Sequence, residues 1–418
     1  MEKFIINGQK ELDGDIEVAG AKNNALKLLA ACLLTAETVE LKNVPDIADV
    51  KVMIDIMQDL GGVINKEGDN NYTISAQNVN KTTIERKLAS KLRTSIMFVA
   101  PLLARFGEAK FPHPGGCVIG QRPIDMFLNG YKAFGATITE DEKYFHIKCQ
   151  KLKGTKIVFP WISHTVTESM IMTAVLAEGQ TVLVNAACEP EVEALIELLN
   201  QLGADIKGAG SHTIVINGVK TLGSGTFATI PDRIEAGTFA ILGALAAKEL
   251  NIKNCRPQHL EVLLSFFDRI GISYKRGNDY LKVSKAKEIK PTQVRTHEYP
   301  GFITDLQAPF TVLLTQAKGV SMVHEVIYEG RLFYTDKLIK MGARIIMCDP
   351  HRIIVEGPTP LYAAQLESPD IRAGIALIMA SLIAEGQSEI SNIYQVDRGY
   401  QRIAQRLKGI GADITRTK

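Results

Sequence analysis

Six copies of one unit, spaced about 70 residues apart, constrain what this chain can fold into more than any other feature. An apolar residue, a glycine and a small or apolar residue recur as Leu60-Gly61-Gly62, Phe134-Gly135-Ala136 and Leu202-Gly203-Ala204. They return as Ile270-Gly271-Ile272, Met341-Gly342-Ala343 and Ile410-Gly411-Ala412. Each copy follows an amphipathic stretch, such as 192–201 or 400–408, and precedes a short strand-like run. A glycine in that position fits a helix C-cap, where the backbone turns left-handed before the next strand.

A second signal runs in phase with the first. Apolar stretches end in Ala104-Arg105-Phe106-Gly107, Ala177-Glu178-Gly179, Ala317-Lys318-Gly319 and Ala384-Glu385-Gly386, with looser copies at Thr35-Ala36-Glu37 and Ala247-Lys248-Glu249. Each unit therefore reads as two helices and several strands, one helix apolar on nearly every face and the other amphipathic. A helix apolar all round is buried. The expected fold is α/β: two domains of three units each, with the buried helices packed together and the sheets outside them. The crossings are expected near Gly20-Ala21 and Ile230-Pro231. That gives one domain of residues 21–230 and a second of 231–418, completed by a strand from residues 1–20.

Composition fits that picture. The chain has 418 residues, enough for two domains, with 46% hydrophobic and 22% charged residues and a formal charge of +2. Near-balance of charge gives no general attraction to nucleic acid or to a membrane surface. The longest apolar stretches, 236–247 and 374–384, fall short of the roughly 18 residues that span a bilayer, and the N-terminus lacks a signal-type apolar core. Six scattered cysteines without a CxxC read as reduced thiols, not as a disulfide frame or a zinc site. The expectation is a cytoplasmic protein.

The residues at the starts of the six apolar helices are the informative ones: Lys22-Asn23, Lys91 with Arg93, His164-Thr165, Arg233, Thr304-Asp305, and Asp370 with Arg372. Lysine or arginine at a helix N-terminus opposes the macrodipole and is a poor stabiliser there. The same cations make sense if several helix starts serve a multiply charged anion. Further candidates are loop arginines, Arg122, Arg331 and Arg398, whose forked guanidinium suits carboxylate and phosphate. Their chemistry alone does not choose among them.

The least ordinary passage is 112–123, Pro-His-Pro-Gly-Gly-Cys-Val-Ile-Gly-Gln-Arg-Pro. Three prolines and three glycines in twelve residues exclude a helix or a central strand and suit a lid or binding loop. A thiol there, Cys117, beside a cation is a candidate acid or nucleophile. His113 is close in sequence, but no hydrolase motif surrounds the pair.

These residues resemble the UDP-N-acetylglucosamine enolpyruvyl transferase family, from Gly20-Ala21-Lys22-Asn23 to Asp397-Arg398-Gly399-Tyr400. The PGGCxIGxRPxD loop at Pro114 to Asp125 carries the likeness most specifically. Leu92-Arg93-Thr94-Ser95, Pro231-Asp232-Arg233-Ile234-Glu235, Thr304-Asp305-Leu306-Gln307 and Asp370-Ile371-Arg372 add to it. The resemblance implies an inside-out α/β barrel in each of two domains and substrates bound between them. It also implies that the 3-hydroxyl of UDP-N-acetylglucosamine attacks phosphoenolpyruvate by addition and elimination, in the first committed step of peptidoglycan synthesis.

By the same resemblance Cys117 is the acid that protonates carbon and the thiol that fosfomycin alkylates, while Asp305 is the base. Lys22, Asn23, Arg122 and Arg398 hold phosphoenolpyruvate, with Lys22 and Arg398 counted as catalytic. Arg93, Arg122, Pro123, Ile124, Asp125, Met126, Ser163, Asp305 and Ile327 meet the sugar nucleotide, and Arg331 and Arg372 are supporting cations. No metal or organic cofactor is implied, and the protein is expected to act as a monomer.

One departure bears on the nucleotide. Where the family has a lysine that leads through a serine to a small turn, this chain reads Trp161-Ile162-Ser163-His164, so a cation is lost and His164 is a partial substitute. Two other readings stay open at this point: a transferase of the same fold with another acceptor, and a sugar-nucleotide-binding paralogue without turnover. The intact set Lys22, Cys117, Asp305 and Arg398 speaks against the second.

Overall fold

The computed structural model describes residues 2–113, 120 and 123–417. Its chain divides into two compact units, one built mainly from Met1–Ala19 and Pro231–Lys418 and the other from Gly20–Gly116 and Arg122–Ile230. Each unit has its own apolar core.

The repeated glycines do what their sequence context predicts. Gly61, Gly135, Gly203, Gly271, Gly342 and Gly411 have φ between 86° and 104°. They follow the helices Ala48–Asp59, Asp125–Ala133, Pro190–Gln201, Glu261–Ile270, Thr335–Lys340 and Ile403–Gly409. The second set, Gly107, Gly179, Gly319 and Gly386, is also at positive φ. The looser copies lack a glycine, and at Ala247 the chain passes directly from helix Arg233–Ala246 into strand Ala247–Lys253.

The other helix of each repeat is buried on nearly all sides. In the unit containing the C-terminus these are Arg233–Ala246, Gln307–Leu314 and Ile371–Ile383, which pack on one another in all three pairings. In the other unit they are Lys22–Ala31, Val99–Phe106 and His164–Ala174. The second and fifth of the six begin late: 3-10 turns at Arg93–Phe98 and Thr304–Leu306 precede them. The cause is readable in the sequence. Pro101 and Pro309 are each the third residue of their helix. Proline lacks an amide N–H and fits only the first turn, where that N–H has no partner within the helix.

The sheets repeat as the helices do. Among the described residues, five of the six sheets have three strands paired antiparallel and a fourth added parallel at one edge. An example is Gly225–Ala228, which runs parallel to Thr38–Lys42, itself antiparallel to Tyr72–Ser75. The sheet of Glu108–Pro112, Tyr144–Lys148 and Thr137–Glu140 has three strands, and the place of its parallel partner is taken by a single bridge from Thr83 to Lys110. The N-terminal strand Lys3–Asn7 pairs antiparallel with Gln387–Ser391 and with Asp413–Thr417, and Leu12–Glu17 runs parallel to Ala247–Lys253. Alternating burial along such strands, as in Gln180–Val184, turns one face to the helices and the other outward.

Candidate active site

In the unit containing the C-terminus, two helix starts and one loop bring three of the candidate residues together. Asp305 lies in the turn Thr304–Leu306, Arg372 in the first turn of helix Ile371–Ile383, and Arg331 in the loop after strand Gly319–His324. Asp305 Oδ1 is 3.0 Å from Arg331 Nη2, and its Oδ2 is 2.9 Å from Arg372 Nη2. The arginine side chains are only 5% and 6% exposed, so each guanidinium meets a carboxylate with little competition from water. Burial is the largest single influence and would weaken both cations. Asp305 together with lesser contributions, from Asp370, Tyr328 and Glu325 at Arg331 and from Tyr400 and Asp232 at Arg372, outweighs it and holds both pKa values above the ordinary arginine value.

The surrounding groups fix these side chains. Arg331 lies over the Tyr328 ring at 5.1 Å, and Arg372 Nη1 donates to the buried Tyr400 hydroxyl at 3.3 Å. Tyr400 in turn contacts the Thr238 hydroxyl at 3.3 Å on helix Arg233–Ala246. Asp370 caps its helix by accepting from the amides of Arg372 and Ala373. Arg233 is buried at the start of its own helix and lies over the Tyr299 ring at 5.1 Å. Arg398, just past the short helix Tyr394–Asp397, donates to Gln395 Oε1 at 3.0 Å. Ile327 donates its amide to Glu325 Oε1 at 2.8 Å.

In the other unit, Lys22 is the first residue of helix Lys22–Ala31, with Asn23 half-buried beside it. Lys22 Nζ is 2.6 Å from Asp49 Oδ2, and their side chains are 9% and 1% exposed. Arg93, half-buried, opens the turn Arg93–Phe98, while Lys91 is exposed. Pro123 is exposed, Ile124 half-buried, and Asp125 and Met126 open helix Asp125–Ala133, Met126 buried and Asp125 exposed. Ser163 caps helix His164–Ala174 by accepting from the Val166 amide at 3.5 Å. His164 Nδ1 is 3.5 Å from Glu168, whose carboxylate also lies 3.3 Å from Lys27 Nζ. Trp161 is exposed. Cys117 and Arg122 lie outside the described residues.

The cations expected at helix starts are thus present, and several already hold a carboxylate of the protein itself. Sequence reasoning missed those partners: Asp49 for Lys22, Glu168 for His164 and Lys27, and Glu325 behind Thr304. Only Glu168 carried a local signal, four residues after His164 on one helix face. Among the described residues no cluster of three or more His, Cys, Asp or Glu could hold a metal ion. None of the described helices is long and apolar enough to cross a membrane.

An arrangement that collects cations and one carboxylate at buried helix starts suits a transfer reaction on an anionic substrate, and comparison with known proteins gives the class. Residues 6–407 match the family model described as EPSP synthase (3-phosphoshikimate 1-carboxyvinyltransferase), and the chain belongs to that family. Within it, the chain is 42% identical to the UDP-N-acetylglucosamine 1-carboxyvinyltransferase of Koribacter versatilis, over 100% of this chain and 96% of the relative. It is 41% identical to the protein of the same name from Borrelia garinii subsp. bavariensis and 42% identical to that of Bacteroides thetaiotaomicron, each over 100% of both chains. The crystal structure of the enolpyruvyl transferase NikO from Streptomyces tendae has a TM-score of 0.91 at 24% identity, covering 100% of this chain and 99% of its own. EPSP synthase from Acinetobacter baumannii follows at 0.76 and 18%, covering 100% of both chains. Both share the two-domain α/β fold.

Proposed function

We propose that the protein transfers the enolpyruvyl group of phosphoenolpyruvate to the 3-hydroxyl of UDP-N-acetylglucosamine, releasing phosphate, as the first committed step of peptidoglycan synthesis in the cytoplasm. The observation that carries the reading is Asp305, with its two carboxylate oxygens on the buried guanidinium groups of Arg331 and Arg372. Full-length relatives that bear the name of this activity support it.

The reaction needs an acid at carbon, a base at oxygen and cations for carboxylate and phosphate. Asp305 takes the proton of the sugar 3-hydroxyl as its oxygen bonds to C2 of phosphoenolpyruvate, and the Cys117 thiol delivers a proton to C3. The adduct then loses a proton from C3 and expels phosphate, so the carbon–carbon double bond is restored and no redox step occurs. Lys22, Asn23, Arg122 and Arg398 hold phosphoenolpyruvate and its leaving phosphate, and Arg331 and Arg372 supply further positive charge. Arg93, Arg122, Pro123, Ile124, Asp125, Met126, Ser163 and Ile327 meet the sugar nucleotide. Desolvated guanidinium groups are the right type for this work, because they stay charged when buried. The protein acts as a monomer, and its Cys117 is the group that fosfomycin alkylates.

Phosphate release from phosphoenolpyruvate tests the reading. Release is expected with UDP-N-acetylglucosamine and not without it, and Cys117→Ser is expected to lower it by at least about a hundredfold, the scale of a lost general acid. No acceptor-dependent release from folded wild-type protein would refute the assignment. Release with 3-phosphoshikimate alone would move the protein to another acceptor.

A further inference from the structure

Glu325 has no part in the chemistry described above, yet it is fully buried beside the groups that do. A buried carboxylate is costly unless donors satisfy it. Here one oxygen, Oε2, accepts from the Thr304 hydroxyl at 2.7 Å, and the other, Oε1, accepts from the amides of Ile327 at 2.8 Å and Tyr328 at 3.2 Å. The main chain of Glu325 is pinned as well. Its N–H donates to the His351 carbonyl at 2.7 Å, and its carbonyl accepts from His351 Nδ1 at 2.7 Å.

These contacts close a ring. Thr304 precedes Asp305, and Asp305 Oδ1 is bound by Arg331 Nη2. Arg331 stacks over Tyr328 and donates its amide to the Tyr328 carbonyl at 3.2 Å. Tyr328 returns to Glu325 through its own amide. A single side chain therefore ties the turn that carries Asp305 to the loop that carries Ile327 and Arg331. Neither segment has regular secondary structure to hold it, apart from the one 3-10 turn at Thr304–Leu306. A hydroxyl–carboxylate bond is among the stronger neutral–charged hydrogen bonds, and its direction fixes the Thr304 rotamer and with it the turn.

We propose that Glu325 is a positioning residue that holds Asp305 and Arg331 in register through Thr304, an inference that rests on the transferase reading for its kinetic consequence but not for its geometry. Misplacing a catalytic base by a fraction of an ångström lowers turnover without removing any reacting group. Glu325→Ala would strand three partly buried donors at once, so the informative change is at Thr304. Thr304→Val keeps the shape and removes the hydroxyl, and Thr304→Ser restores it.

Thr304→Val is expected to keep a cooperative unfolding transition and to lower kcat about tenfold, with KM for either substrate changed less than about threefold. Thr304→Ser is expected to stay within about twofold of wild type. A Thr304→Val protein with a lowered Tm and unchanged kcat would show a purely structural role and overturn the proposal. The crystal structure of Thr304→Val reads the same claim without turnover. The proposal requires the separation of Asp305 from Arg331 to grow beyond 3.0 Å, and an unmoved pair refutes it. Wild-type protein without acceptor-dependent turnover would sink the transferase reading alone, and the crystallographic comparison would still decide the role of Glu325.

Discussion

Lys27 and Glu168 offer the sharpest test of how the core of residues 20–230 is held together. They sit on two of the buried helices, their side chains are 2% and 0% exposed, and Lys27 Nζ is 3.3 Å from Glu168 Oε2. Neither carboxylate oxygen has a hydrogen bond of good geometry, so the pair relies on charge proximity, with His164 at 3.5 Å as the only other cation paired with Glu168 among the described residues. Removing one partner of a buried pair typically costs about 3–5 kcal/mol, because the other charge stays buried without compensation. The loose geometry and the help from His164 argue for the lower end, about 3 kcal/mol for Lys27→Met.

For a domain of this size that corresponds to a fall in Tm of about 6–12 °C. Replacing both groups, Lys27→Met with Glu168→Leu, removes the desolvation cost along with the attraction. The double variant should return to within about 1 kcal/mol of wild type or exceed it. The four proteins of this cycle, with the single Glu168→Leu variant, compared by calorimetry and urea unfolding, give the coupling directly. A neutral Lys27→Met, or a double variant as unstable as the sum of its singles, would refute the reasoning.

Other consequences are as direct. Gly203 has φ of 104° with no atom within 4 Å of the place a Cβ would occupy, so Gly203→Ala should cost about 1–2 kcal/mol through backbone strain alone, measured by urea unfolding. Burial, with a smaller push from Asp279, raises the Cys255 thiol to about 11, so it should resist iodoacetamide at pH 8 in the native protein while exposed Cys348 reacts. Rapid native-state labelling of Cys255 would contradict its burial. Asp141 is held down to about 2 by the amide of Lys143, the His146 ring and the amide of Tyr144. Its stabilising effect is present above the ordinary aspartate pKa of about 4 and is lost as pH falls toward 2. Asp141→Asn should therefore lower Tm at pH 6, with the difference shrinking as pH falls toward about 2 and vanishing below it.

Much of this fold was legible because its punctuation is physical. A left-handed turn after a helix calls for glycine, and six such glycines in phase announce six units. Helices apolar on every side announced the interior, and the two late helix starts follow from Pro101 and Pro309, whose positions the sequence displays. The parallel edge strands were not legible. Their partners lie far away in sequence, as with Gly225–Ala228 on Thr38–Lys42, and short strands carry no sign of which edge they join. The same holds for the site. Lys22, Asp305 and Arg372 stood out because a charge at an apolar helix start is unusual, whereas Asp49 and Glu325 are ordinary acidic residues until the fold buries them against a donor. A buried charge is recognisable only once its surroundings are known.

The central claim is chemical, and the product tests it most directly. Incubated with phosphoenolpyruvate and UDP-N-acetylglucosamine, the protein should yield a nucleotide sugar heavier by one enolpyruvyl group. Its proton NMR spectrum should show two vinyl protons and an ether linkage at the sugar 3-oxygen. Recovery of unmodified UDP-N-acetylglucosamine from folded, substrate-saturated protein, or attachment at another oxygen, would contradict the account.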